Sequence, residues 1–214
     1  MIHKLTYNDR VLSAEERAEF CRISDEYINE FSGYIEGIHQ LTKEYHVSDN
    51  SDYNKITKTI IDIETFTNYA FCDCIVLNKL FVRATNPYEK SFVRGKVQLN
   101  ESFKRLYGFK KGYKNSYCAQ LEKIITMFPG FRREYDELLS DLEQISKDPW
   151  WKDVRDAEVH INISKLYELR HEEINESKVV METWQLIELF NRINRFICRL
   201  HRAYFNYMTA QFFH

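Results

Sequence analysis

Between Tyr27 and Tyr45 the large apolar residues return at alternating steps of four and three: Tyr27, Phe31, Tyr34, Ile38, Leu41 and Tyr45. Only a helix turning about 100° per residue keeps such a series on one face. A strand, with its period of two, would scatter it over both. The series is preceded by Ser13 and Glu16, the S-x-x-E spacing of a capping box, in which each residue satisfies the other's backbone N–H at a helix start. The spacing therefore predicts a long helix from about residue 13 to about residue 46.

A second seam follows at Ile56, Ile60, Ile63, Ala70, Cys74, Leu77 and Phe81, and ends before Pro87. Proline lacks the N–H a helix needs and disfavours helical geometry in the residue before it. A third helix is predicted over 88–107, with Gly108 and Gly112 interrupting the chain. Shorter helices follow over 116–128 and 131–146. A helix over about 150–169 and a last one over about 177–210 complete the series, the last with Trp184, Ile187, Phe190, Ile197, Tyr204 and Met208 on one face. With only 6 Gly and 3 Pro in 214 residues, the chain lacks the turn formers of a sandwich or barrel. The expected fold is all-α: a single helical bundle of four long helices with additional short ones, one domain over 1–214.

The five cysteines, Cys21, Cys72, Cys74, Cys118 and Cys198, form no C-x-x-C pair and are odd in number. Reduced thiols are expected, not a disulfide framework or a zinc ribbon. No apolar run reaches the length of a membrane span, and MIHKLTYNDR lacks the apolar stretch of a secretory signal. A cytoplasmic protein with no membrane contact is expected.

The net charge of −2 is unevenly spread. Residues 88–117 carry eight basic side chains against Glu89 and Glu101, a net +6, leaving −8 on the rest. Phe103, Tyr107, Phe109, Tyr113 and Tyr117 are interleaved with these cations. Aromatic faces beside phosphate-binding charges suit single-stranded RNA, although aromatic stripes more commonly serve a core. Lys104, Arg105, Lys110 and Lys111 are the candidate RNA-binding cations. Trp150 and Trp151 are read as core residues, and His171 as a cap for helix-end carbonyls.

The run R-D-A-E-V-H-I-N, residues 155–162, holds the chemistry-bearing types. Asp156 and His160, four apart, share a helix face, so the carboxylate can accept from the imidazole and fix its orientation. Arg155 and Asn162, seven apart, also share a face. Arg155 and His160 point about 140° apart on a regular helix. They meet on one ligand if the arginine wraps round, the helix is irregular, or two copies converge. Histidine can move protons at the ribose 2′-hydroxyl near neutral pH, and an arginine fork can neutralise a phosphorane. Such a site needs no metal. No HExxH, Walker lysine loop or calcium-loop pattern is present.

R-D-A-E-V-H resembles the R-[N/D/H]-x-x-x-H signature of the HEPN superfamily (higher eukaryotes and prokaryotes nucleotide-binding), all-helical domains that include metal-independent endoribonucleases of toxin–antitoxin, abortive-infection and CRISPR systems. The resemblance places the motif before a final long helix, as here. It implies Arg155 and His160 as catalytic residues, Asp156 as polar modulator, no cofactor, RNA as substrate, an antitoxin protein as possible partner, and a homodimer in which two motifs meet. A looser form of the motif also fits Arg195 to His201, where Phe196 breaks the polar preference after the arginine. The alternative from another class is a non-catalytic bundle that binds a nucleotide or a protein partner. A ferritin-like di-metal bundle would need paired E-x-x-H motifs, and none occurs.

Overall fold

The computed structural model describes residues 12–44, 52–86, 89, 97–108, 113–147, 164 and 176–212. Among these there is no strand, and the fold is all-α. Three long helices dominate: α1 (Ala14–Glu44), α2 (Asp52–Arg83) and α6 (Glu176–Phe212). Between the last two lie the shorter α3 (Val97–Leu106), α4 (Tyr117–Ile125) and α5 (Arg132–Ser146). The expected helix over 150–169 lies outside the described residues except for residue 164, which is helical. No described helix is long and apolar enough to cross a membrane.

Local signals set the boundaries. Ser13 Oγ accepts from the Glu16 N–H at 3.1 Å, and Glu16 Oε2 accepts from the Ser13 N–H at 2.8 Å, the reciprocal cap read from the sequence. Gly108 follows α3 with φ of 81°, a left-handed conformation that costs glycine little and lets the chain leave the helix. Ser116 caps α4 by accepting from the Ala119 N–H at 3.2 Å.

α2 packs against both α1 and α6. Ile60, Ile63, Phe71, Cys74 and Ile75 of α2 are almost wholly buried, together with Ile187, Ile193, Phe196, Ile197 and Leu200 of α6. α5 packs against α6, and α4 against α2 and α3, so that Tyr135 and Leu142 of α5 and Leu121 and Ile125 of α4 join the same core. The last helix is consequently buried round more of its circumference than its six-residue seam implies. Trp184 and Met208, assigned to that seam, are only partly buried, whereas Ile193, Phe196 and Leu200 are core. Each fully buried Ile, Leu or Phe stabilises the fold by about 1.5–3 kcal/mol. All five cysteines are free.

A second cluster sits where the starts of α1 and α6 meet the end of α2: Leu12, Phe20, Phe81, Val82, Val179 and Val180. Beneath it Glu176 accepts from the Leu12 N–H at 3.2 Å and pairs with the Arg17 guanidinium, which also donates to the Leu12 and Val82 carbonyls. One arginine thus fastens three helix ends.

Candidate functional site

The residues of the RDAEVHIN run, Arg155, Asp156, His160 and Asn162, lie outside the described residues, as do Lys110, Lys111, Phe109, Trp150, Trp151 and His171. Lys104 and Arg105 are exposed on α3. Arg105 lies over the Tyr117 ring at 4.6 Å. Asp62 is close by: burial raises its pKa, with Lys58 and Arg105 pulling it back. The basic face is thus partly engaged by its own neighbours. Phe103 is core and Tyr107 packs against it, so these two aromatics serve packing.

A different set of polar residues is brought together between α1, α2 and α6. Glu64 lies on the inner face of α2 and is only 5% exposed. Its Oε1 accepts from the Tyr34 hydroxyl at 2.8 Å and from the Cys198 thiol at 3.2 Å, and its Oε2 meets His201 Nδ1 at 3.0 Å. The hydroxyl and thiol also touch at 2.9 Å. Burial alone would push the Glu64 carboxyl up, but donation from His201, then Tyr34 and Cys198, outweighs it and holds the group below its ordinary value. Glu64 is therefore a carboxylate at neutral pH. An ionised acceptor favours a proton on the imidazole Nδ1 and so fixes the orientation of the ring.

The partners respond in the opposite sense. Burial first, then the hydrogen bonds and charge of this cluster, raise the Tyr34 pKa. Burial pushes the Cys198 thiol up to about 11; the Tyr34 contact is the next largest influence and opposes it, and the Glu64 charge adds a lesser push upward. Cys198 is thus a thiol at neutral pH, a donor to Glu64 and not a nucleophile.

Tyr34 and Cys198 also line a cleft of about 1060 Å³, with Tyr27 and Phe31 on the α1 side and Asn194 and Arg195 on the α6 side. Three arginines border it. Arg192 pairs with Asp141 at 2.6 Å and Arg199 pairs with Glu134, both acids on α5. Arg195 has no ion-pair partner among the described residues, so its charge is uncommitted. Asn194 is 4% exposed, and its amide has no hydrogen-bond partner among the described residues; Asn68 gives its Nδ2 to the Glu64 carbonyl at 2.7 Å and keeps Oδ1 unpaired. Unpaired buried amides each cost about 1–3 kcal/mol. They give this wall polarity that packing alone does not require.

Arg195, Cys198 and His201 follow one another at steps of three on α6, a rise of about 9 Å from first to last. The sequence contained this signal as polar interruptions inside an apolar helix. Glu64 was harder to find, because nothing near it in the chain marks it as the partner of a residue 137 positions away. Among the described residues no group of three or more His, Cys, Asp or Glu is arranged to hold a metal ion.

Compared with known protein families, curated proteins and solved structures, the chain matches none.

Proposed function

We propose that the chain is a metal-independent endoribonuclease of HEPN type, a cytoplasmic toxin or phage-defence effector, with Arg155 and His160 as its catalytic pair and Asp156 as the modulator of the histidine. The run R-D-A-E-V-H, placed shortly before the long final helix of an all-helical chain, is the observation that carries this reading. His160 takes the proton of a ribose 2′-hydroxyl. The 2′-oxygen attacks the adjacent phosphorus, and the 5′-oxygen leaves and is protonated. The products are a 2′,3′-cyclic phosphate and a 5′-hydroxyl. Arg155 neutralises the extra charge on the phosphorane by paired hydrogen bonds. In a homodimer the second histidine can supply the leaving-group proton. Lys104, Arg105, Lys110, Lys111 and Asn162 are the RNA contacts of this reading, and an antitoxin protein is its further partner.

The test is cleavage of single-stranded RNA with chelator present. Wild type is expected to cut and to leave cyclic-phosphate ends. Arg155→Ala and His160→Ala are each expected to lose at least about a hundredfold in rate, the usual scale for removing a proton carrier. Absence of chelator-resistant cleavage in the wild type overturns the nuclease reading, and leaves the bundle that binds a nucleotide or a protein partner.

A second placement of the same chemistry is favoured by one observation, the Glu64 carboxylate that orients His201 one helical turn beyond Cys198, which lines a cleft with Arg195, a cation with no ion-pair partner among the described residues. If cleavage survives at 155 and 160 but is lost in Arg195→Ala and His201→Ala, the catalytic pair is the later one.

A further inference from the structure

α2 has a second face that its neighbours leave uncovered. Tyr69, Val76 and Leu80 are 51%, 39% and 45% exposed on it, an unusual concentration of large apolar side chains in water. Asp73 and Arg83 are exposed on the same face. The five positions run 69, 73, 76, 80, 83, at steps of four, three, four and three. At about 100° per residue they occupy a stripe only about 80° wide. This is the spacing of a coiled-coil seam, on a helix whose opposite face is already buried in the core.

The charges on the stripe are uncommitted as well. Neither Asp73 nor Arg83 has an ion-pair partner among the described residues. Partial burial raises the Asp73 carboxyl, with no cation offsetting it. By contrast Lys79, on the flank of the stripe, is paired with Asp25 of α1.

We infer that this face of α2 is a homodimer interface, in which a second copy lies antiparallel with the two-fold axis beside position 78. That register sets Val76 against the partner's Leu80 and Asp73 against the partner's Arg83, and symmetry repeats both contacts. An apolar centre is then flanked by two ion pairs. The acid and the base stand equally far from the axis, so one surface complements itself, as a two-fold interface must. A parallel pairing would instead set Asp73 against its own copy. The inference stands on the α2 face alone and does not depend on the nuclease reading.

A seam of about two heptads is small beside the 1,200–2,000 Å² of a standard interface, so a weak, reversible dimer is expected, with dissociation in the micromolar range. Sedimentation equilibrium of the full chain from about 1 to 100 µM tests it. Wild type should shift from monomer to dimer over this range. Asp73→Lys and Arg83→Glu should each weaken dimerisation about tenfold or more by opposing like charges, and Leu80→Glu should abolish it. The double variant D73K/R83E exchanges the charges and should recover the wild-type constant. All these positions are exposed, so circular dichroism should show unchanged helicity. A chain that remains monomeric at the highest concentration overturns the inference. So does a dimer that none of these changes affects, or single variants that the double variant fails to rescue.

Discussion

Glu176 and Glu64 are both buried, at 3% and 5% exposure, yet the fold surrounds them differently. Glu176 opens α6, where the helix dipole favours an acid, and it faces the permanent charge of Arg17 and a backbone N–H. Arg17 is shared with two carbonyls of other segments, so the pair works as a fastener. Glu64 faces an imidazole, a side chain able to take up or release a proton, together with a phenol and a thiol whose raised pKa values keep them donors, and the last two line an open cleft. The difference separates a charge buried to join helices from one buried to hold other groups in position. What a buried carboxylate can do is decided by whether its donors have fixed or changeable protonation.

Breaking the fastener should have the largest effect on stability. Arg17→Ala removes the ion pair with Glu176 and the hydrogen bonds to the Leu12 and Val82 carbonyls together, and should cost about 3–5 kcal/mol, the usual scale for breaking a buried pair. Chemical denaturation checks this. A loss below about 1 kcal/mol would show that the pair behaves like an exposed one.

Glu64→Gln should cost less, about 1.5–3 kcal/mol, because the amide oxygen can still accept from Tyr34 and Cys198, while the His201 Nδ1–H loses its acceptor. Its pH dependence sharpens the contrast. The folded-state pKa of Glu64 lies below the ordinary 4.5, so its contribution is fully present above pH 4.5 and is lost as the pH falls through the depressed value. The stability gap between wild type and Glu64→Gln should therefore be flat near neutrality and narrow in acid. A gap that widens in acid would mean that the folded-state pKa of Glu64 lies above its ordinary value.

The smallest effect concerns reactivity. With its thiol at about 11, Cys198 should alkylate slowly at pH 7–8 and faster as the pH rises towards that value, followed by mass spectrometry of its peptide. Rapid labelling at pH 7 would place a thiolate in the cluster and contradict its role as donor.

Much of the fold was legible from spacing. The seams on α1 and α2, the Ser13 cap, and the breaks at Gly108 and near Phe128 are local signals, each requiring only residues a few positions apart. The RDAEVHIN run stood out as a candidate site for the same reason, as a pattern within eight residues, and it lies outside the described residues. The extent of burial on α6 was not legible, because it depends on α5, distant in sequence from α2, packing against the same helix. Nor was the engagement of Arg105 with Tyr117, which reduces the basic face that charge counting suggested.

The sequence by itself determined that the described chain is helical and roughly where its long helices run, because helix formation and amphipathicity are properties of neighbours along the chain. Only the tertiary structure decided that Glu64 would meet His201, Cys198 and Tyr34, and that Arg195 would be left uncommitted while Arg192 and Arg199 were paired. These outcomes follow from packing helices whose polar residues are from 30 to 137 positions apart. Desolvation makes every such residue either find a partner or remain costly.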